Sequence, residues 1–404
     1  MRAISNRPAG FLVLLGMYAV TTPATVSAES SILFIRGADR SGGFLEAGND
    51  TQRTEQLAEI DNFQTFGGNH GWGELASALE ADGFTLTQLT ETVEPNNPTG
   101  PTDGVALDLT QINLGQYDAV VFGSNNAAYS PASVDALETY VRNGGGAVFI
   151  SDANFGGDWA DASNSDQPFL DRFGLVAHQD RGTYSLFRDQ GDFLVPDHPI
   201  LEGVDRFDGE GVTPIRVVDR NVPGVEHTIL ATAKNQTRLN QAPFGNRNQG
   251  PSRAAGPDDA VSLAVTAERG RLVGHFDRNT FFNLNGAGTN LNRFDNEQYA
   301  LNLFRWVAQV GVLPGDYNGS GQVEQGDLNL VLNNWGSDSL DPNVGVPTGW
   351  LQDLPVGIID HDELNRVLNH WGSDQEPIMS AAPLPEPTAT AAAAVAAALA
   401  MRRR

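Results

Sequence analysis

The chain has 404 residues, 40% of them hydrophobic, which is enough for one large core and a small appended module. Fifty acidic against 25 basic residues give a net charge of -25, a surface that repels nucleic acid and attracts divalent cations. With no cysteine, disulfides, zinc–thiolate sites and thiol nucleophiles are all excluded.

The first 28 residues have the layout of a secretory signal peptide: Arg2 and Arg7, an apolar run from Phe11 to Val20, and the small-residue exit Val26-Ser27-Ala28 before Glu29. Export is therefore expected, with the mature chain starting near Glu29. The next 285 or so residues, to 313, alternate short apolar strands with capped helices. Strands are expected at Ile32 to Ile35, Phe84 to Leu89, Tyr117 to Phe122 and Ala147 to Ile150. Helices are expected over Gly73 to Ala81 and from Ser130-Pro131 to the stop at Gly144-Gly145-Gly146. Such alternation predicts a three-layer α/β domain, a parallel sheet with helices on both faces. Ser185 to Pro257 reads as irregular, with a long exposed loop from Asn235. Two further strands, Ala260 to Thr266 and Arg271 to Phe276, precede a last helix over roughly Asn296 to Val310.

Residues after a strand face the carboxyl edge of a parallel sheet, where ligands bind. His70, set among Gly67-Gly68 and Gly71-Trp72, and Asp152, after the fourth strand, are the cleft candidates. A turn histidine with no ligand role remains the plainer account of His70.

Beyond Pro314-Gly315 the text becomes an internal repeat over 314–374. The phrase from Gly321 to Leu332-Asn333-Asn334-Trp335-Gly336 returns from Gly357 to Leu368-Asn369-His370-Trp371-Gly372. Leu328, Val331, Leu332 and Trp335, and their counterparts Leu364, Val367, Leu368 and Trp371, lie at helical spacing, so each copy is expected to bury that face against the other. Before the first helix, Asp316, Asn318 and Ser320 carry oxygens at positions one, three and five of a twelve-residue loop. Gln322 offers its carbonyl at seven, Glu324 stands at nine and Asp327 closes the loop at twelve. Calcium takes six to eight oxygens, and this spacing wraps the chain around one ion. In the second copy Gln352, Leu354 and Val356 occupy the first three ligand positions, so one occupied site is expected, not two.

This repeat resembles the type I dockerin, a small all-α EF-hand-like module. The resemblance implies docking onto a cohesin-like or other surface protein and an association with polysaccharide-degrading systems. Residues 375–404 are rich in Pro and Ala; Pro385-Glu386-Pro387, the Ala-rich stretch and Arg402-Arg403-Arg404 resemble a PEP-CTERM sorting signal. That resemblance implies recognition by exosortase-type machinery and placement at the cell envelope or in the extracellular matrix. The Ala-rich stretch is shorter than the roughly 20 residues a spanning helix needs.

The domain over 29–313 resembles the class I glutamine amidotransferase-like fold, which is flavodoxin-like, and within it the ThuA-like group. The phrases that carry the resemblance are Tyr117 to Phe122, Leu137 to Gly146, Asp197-His198-Pro199-Ile200 and Gly270 to His275. The catalytic members place a cysteine after the strand that here ends at Ile150, where this chain has Ser151-Asp152. Thiol chemistry is thereby excluded. A substitute set is Ser151 as nucleophile, His275 as base and Asp277 as orienter, since His275 and Asp277 keep the His-x-acid spacing of the family. The leading expectation is a non-catalytic ligand-binding domain, with a glycan as ligand; the alternative is a carbohydrate-active hydrolase using Ser151 and His275.

Overall fold

The computed structural model describes residues 30–37, 58–61, 70–93, 104–150 (without 124 and 126), 161–177, 183–210, 214–232, 239–240, 252–253, 256–283 and 289–373 (without 319, 321, 340, 342, 343, 354 and 356). The leader, the sorting-type tail, Ser151, Asp152 and most of the loop from Asn235 lie outside the described residues.

Apolar runs bounded by Gly and Asp build the sheet. In chain order its strands are β1 (Ser30–Arg36), β2 (Phe84–Thr90), β3 (Ala119–Phe122), β4 (Gly146–Ile150), β5 (Leu175–Ala177), then β8 (Ile215–Val217), β9 (Val225–Thr232), β10 (Asp259–Ala267) and β11 (Gly270–His275). Between them β6 (Thr183–Phe187) and β7 (Arg206–Glu210) form a separate antiparallel pair. The nine-stranded sheet runs β2-β1-β3-β4-β11-β10-β8-β5, with β9 also paired to β10. Its first five strands are parallel to one another. From β11 onward every pairing is antiparallel. The sheet is thus mixed, not wholly parallel. The physical reason is the two-residue turn Glu268-Arg269, which folds β10 directly back on β11; a parallel partner would need a long crossover. Within Ser185–Pro257, read as irregular, β7, β8 and β9 are regular strands.

Helices α1 (Gly73–Ala81), α2 (Pro131–Arg142), α3 (Asp161–Leu170) and α4 (Asn296–Val307) cover the sheet. Ser130 caps α2, accepting from the Ser133 N–H at 3.2 Å, with Pro131 at the first helical position. Strand periodicity sorts the core into two layers. Ile32 and Phe34 pack with Trp72, Leu75, Leu303 and Phe304 on one face. Leu33 and Ile35 pack with Val134, Leu137, Val141 and Phe169 on the other. Among the described residues no helix is long and apolar enough to cross a membrane.

After α4 the chain enters a small separate core of Tyr317, Val323, Val331, Trp350, Ile359 and Val367. Two nine-residue helices frame it, α5 (Gln325–Asn333) and α6 (His361–Asn369). The apolar face expected to be buried here is split. Val331 and Val367 are buried, whereas Leu332, Trp335, Leu368 and Trp371 are 52%, 42%, 53% and 48% exposed. Leu328 and Leu364 pack half-buried on the same core beside Val331 and Val367, and Tyr317 and Trp350 fill the rest of it.

The sheet tolerates no side chain at Gly123. A Cβ there would stand 2.2 Å from the Trp72 ring, which is itself buried. Gly123→Ala is expected to destabilise the chain by about 1–3 kcal/mol through overpacking. Urea unfolding followed by tryptophan fluorescence measures this, and an unchanged midpoint would count against the packing described.

Candidate functional site

Two places gather chemistry-bearing side chains. The first is the carboxyl edge of the parallel strands. Because β1 is flanked by β2 on one side and β3 on the other, the order of strands reverses there, the place along a parallel sheet where ligands commonly bind. Arg36 ends β1 and pairs with Glu59 at 3.2 Å, both side chains being 5% exposed. Gln88 donates its Nε2 to the Glu59 Oε1 at 2.7 Å. The Tyr129 hydroxyl donates to the buried Glu91 carboxylate at 2.6 Å. Burial, reinforced by that carboxylate, raises the tyrosine pKa well above its usual value. Asn125, fully buried just past β3, donates its Nδ2 to the Ser165 Oγ at 2.7 Å and the Asp166 Oδ1 at 2.9 Å. Its Oδ1 is buried with no hydrogen-bond partner.

His70 stands at this edge too, buried, with its ring edge-on to Phe282 at 5.0 Å between centroids. Arg36, Glu59, Glu91 and Asn125 escape a reading of the sequence. One signal was available: a charged residue at the end of an apolar strand, as Arg36 is, marks the ligand side of a parallel sheet.

His275, at the end of β11, is fully buried. Its Nδ1 lies 3.1 Å from the Tyr299 hydroxyl and its Nε2 lies 3.0 Å from the Thr280 Oγ1. Both ring nitrogens therefore have hydroxyl neighbours, and the Asp277 backbone is a further hydrogen-bond partner of the ring. Desolvation pushes the imidazole pKa down to about 3. The Asp277 carboxylate accepts from the Asn279 N–H at 3.0 Å and caps a short 3-10 turn over Arg278–Phe281. It packs against Gly209 of β7, where an added Cβ would come within 2.6 Å of its Oδ2. The imidazole thus lies against the Tyr299 and Thr280 hydroxyls and the Asp277 backbone, while the Asp277 side chain caps the turn that follows.

The second place is the loop before α5. Asp316 and Asp327 are both fully buried. The Asp316 Oδ1 accepts from the Ser320 N–H at 3.0 Å, and the Asn318 Oδ1 accepts from the same N–H at 2.8 Å. Ser320 donates its hydroxyl to the Gln322 carbonyl at 3.1 Å. The Asp327 Oδ1 accepts from the Asn318 N–H at 3.0 Å and its Oδ2 from the Glu324 N–H at 2.9 Å. The latter bond is half of a capping box in which Asp327 is the third residue of α5 and Glu324 its N-cap. One residue therefore closes the loop and starts the helix. Two carboxylates, an amide oxygen, a hydroxyl and a carbonyl converge within twelve residues, an all-oxygen set of mixed charge that suits a hard cation. Among the described residues no ion pair reaches Asp327, although it is buried and ionisable.

No protein-family profile and no curated protein matches the chain. Among solved structures it is similar to the mmIFT52 N-terminal domain, at 12% identity and a TM-score of 0.42 over 70% of this chain and 99% of that one. It is also similar to a ThuA-like protein from Parabacteroides merdae, at 13% identity and a TM-score of 0.38 over 69% of this chain and 90% of that one. A ThuA-like protein from Bacteroides uniformis gives 17% identity and a TM-score of 0.34 over 71% and 95%.

The buried imidazole has a consequence in acid. In the unfolded chain a histidine titrates near 6.5, whereas His275 folded titrates near 3. Between those values the unfolded chain holds the proton and the folded chain does not. The contribution to stability is complete above about pH 6.5 and is lost as pH falls toward 3. From about pH 7 to about pH 4 the loss at this residue is on the order of 3 kcal/mol. His275→Gln should flatten the fall of urea-unfolding stability over that range; parallel curves for the two proteins would contradict the assignment.

Proposed function

We propose that the chain is an exported protein of the cell envelope or extracellular matrix, with two working parts. The C-terminal pair of helices is a dockerin-like module that takes one calcium ion in its first loop and attaches to a partner surface. The α/β domain is a non-catalytic ligand-binding domain of the ThuA-like, glutamine amidotransferase-like type, with a glycan as its ligand class.

The observation that carries the reading is the pair of buried carboxylates, Asp316 and Asp327, closing a single oxygen-lined loop. Burying ionised carboxylates is costly unless hydrogen-bond donors and positive charge compensate them; the donors here are backbone N–H groups and the Gln352 amide. In this reading calcium supplies that charge, with Asp316, Asn318, Ser320 and Asp327 giving side-chain oxygens, Gln322 its carbonyl and Glu324 acting through water. The ion's role is to hold the loop against α5 and so set the geometry of the repeat. Docking is supported by the exposed Leu332, Trp335, Leu368 and Trp371, which repeat at matching places on both helices.

Non-catalysis is supported by His275. A fully buried ring with both nitrogens hydrogen-bonded to hydroxyls is a structural histidine. Ligand binding is assigned to the carboxyl edge at the β1/β3 reversal, where the buried Arg36, Glu59, Glu91 and Asn125 lie with His70. Carboxylate, amide and guanidinium groups held by one another are the set that reads hydroxyl groups. The signal-peptide layout and the Pro-Glu-Pro tail with its arginines support the envelope location and sorting by exosortase-type machinery.

Titration calorimetry on the mature chain should show one calcium ion bound per chain, and Asp327→Ala should remove that binding. Absence of heat in the native protein would end the calcium reading. On a glycan array Ser151→Ala should keep the native binding pattern; loss of glycoside hydrolysis in that variant would instead establish the hydrolase alternative.

A further inference from the structure

The two loops of the repeat solve the same electrostatic problem differently. In each, the twelfth residue is a carboxylate that caps the following helix: Asp327 for α5 and Glu363 for α6. Glu363 is 3% exposed, so it too needs a compensating charge. Its own loop offers few oxygens to a cation, because positions one, three and five are Gln352, Leu354 and Val356. The Glu363 Oε2 accepts from the Asp360 N–H at 3.0 Å. The Oε1 accepts from the Arg269 Nη2 at 2.9 Å.

Arg269 belongs to the other domain. It sits in the two-residue turn between β10 and β11, and its backbone is fixed from two sides. Its N–H donates to the Arg142 carbonyl at 3.3 Å, and its carbonyl accepts from the Gln309 Nε2 at 3.2 Å. The neighbouring Glu268 pairs with Arg142 at 2.9 Å. The guanidinium is thus presented by a rigid turn, and only 24% of its side chain is exposed.

We infer that Arg269 takes the place of a metal ion in the second loop, and that the Arg269–Glu363 pair is a latch fixing the helical module to the α/β domain. This goes beyond the calcium reading of the first loop and does not need it. The latch also reaches that first loop. The Tyr317 hydroxyl donates to the Glu363 carbonyl at 2.9 Å, and the Gln352 Nε2 donates to the Asp316 Oδ2 at 2.8 Å. Nearby, Gly315 adopts φ +87° and donates its N–H to the Asp353 Oδ2 at 3.0 Å, while Asp353 also binds Arg366. The module is a fixed outgrowth of the α/β domain, so the exposed Trp335 and Trp371 are displayed at one set orientation to it.

The test is hydrogen exchange on the full mature chain in chelator, which removes any metal from the comparison. Arg269→Met should speed exchange of the Glu363–Val367 amides and of the 311–315 segment about 10-fold or more, while β1 and β3 stay protected. Glu363→Gln, which keeps the helix cap, should do the same. The double variant should be no looser than either single one, because both remove one interaction. Exchange at native rates in either single variant, or fully additive effects in the double one, would overturn the latch. Should Arg269→Met fail to fold, Glu363→Gln alone decides by the same criterion. In calcium, a second ion bound per native chain would overturn the substitution of arginine for metal. Failure of the first loop to bind calcium would leave the exchange result untouched.

Discussion

A carboxylate removed from water has to be matched by positive charge or by several N–H donors, and this acidic chain meets that requirement repeatedly. With 50 acidic against 25 basic residues, most acids must face solvent, and those that do not are distinctive. Glu59 is matched by Arg36, Asp208 by Arg293 at 3.0 Å, and Glu363 by Arg269. Breaking one partner of such a pair leaves an uncompensated charge, a loss on the order of 3–5 kcal/mol when both groups are well buried. Asp208 shows the tension directly: burial raises its pKa while Arg293 and Asn296 pull it back. Each of these pairs joins segments distant in the chain, so satisfying the charges also ties the elements together.

The same rule separates the two halves of the C-terminal repeat. Both halves keep the helix start, in which the loop's last acid accepts from the N-cap backbone. They differ in what neutralises that acid. In the first loop the nearby groups are oxygens and amide N–H donors; in the second it is a guanidinium from the adjoining domain. A loop with few side-chain oxygens can bury its acid because a guanidinium lies against it.

In the α/β domain, position along the sheet divides the polar residues by role. His275 follows the buried strand β11 and is held by Tyr299 and Thr280 among aromatic rings, including Phe276 and Phe281 at 4.8 Å. Its environment favours the neutral, fixed ring. Arg36 ends β1, and Glu91 and Asn125 lie beyond β2 and β3, where the order of strands reverses. Asn125 keeps an unpaired oxygen there. A satisfied histidine beyond β11 thus contrasts with an unsatisfied amide oxygen at the β1/β3 edge.

The sequence alone determined the elements whose signals are local. The strand around Ile32–Ile35, the Ser130-Pro131 start of α2, the glycine stop after it and the twelve-residue loop before α5 all follow from residue spacing and capping chemistry. These forces act within a few residues and need no partner. Tertiary structure decided what depends on distant neighbours. The antiparallel half of the sheet follows from the β10–β11 turn, the exposure of Trp335 and Trp371 from their place past the ends of two short helices, and the environment of His275 from Tyr299 and Thr280. The pairing of Glu363 with Arg269 spans 94 positions. No periodicity encodes it, because a buried charge selects its partner in space and leaves the spacing along the chain unconstrained.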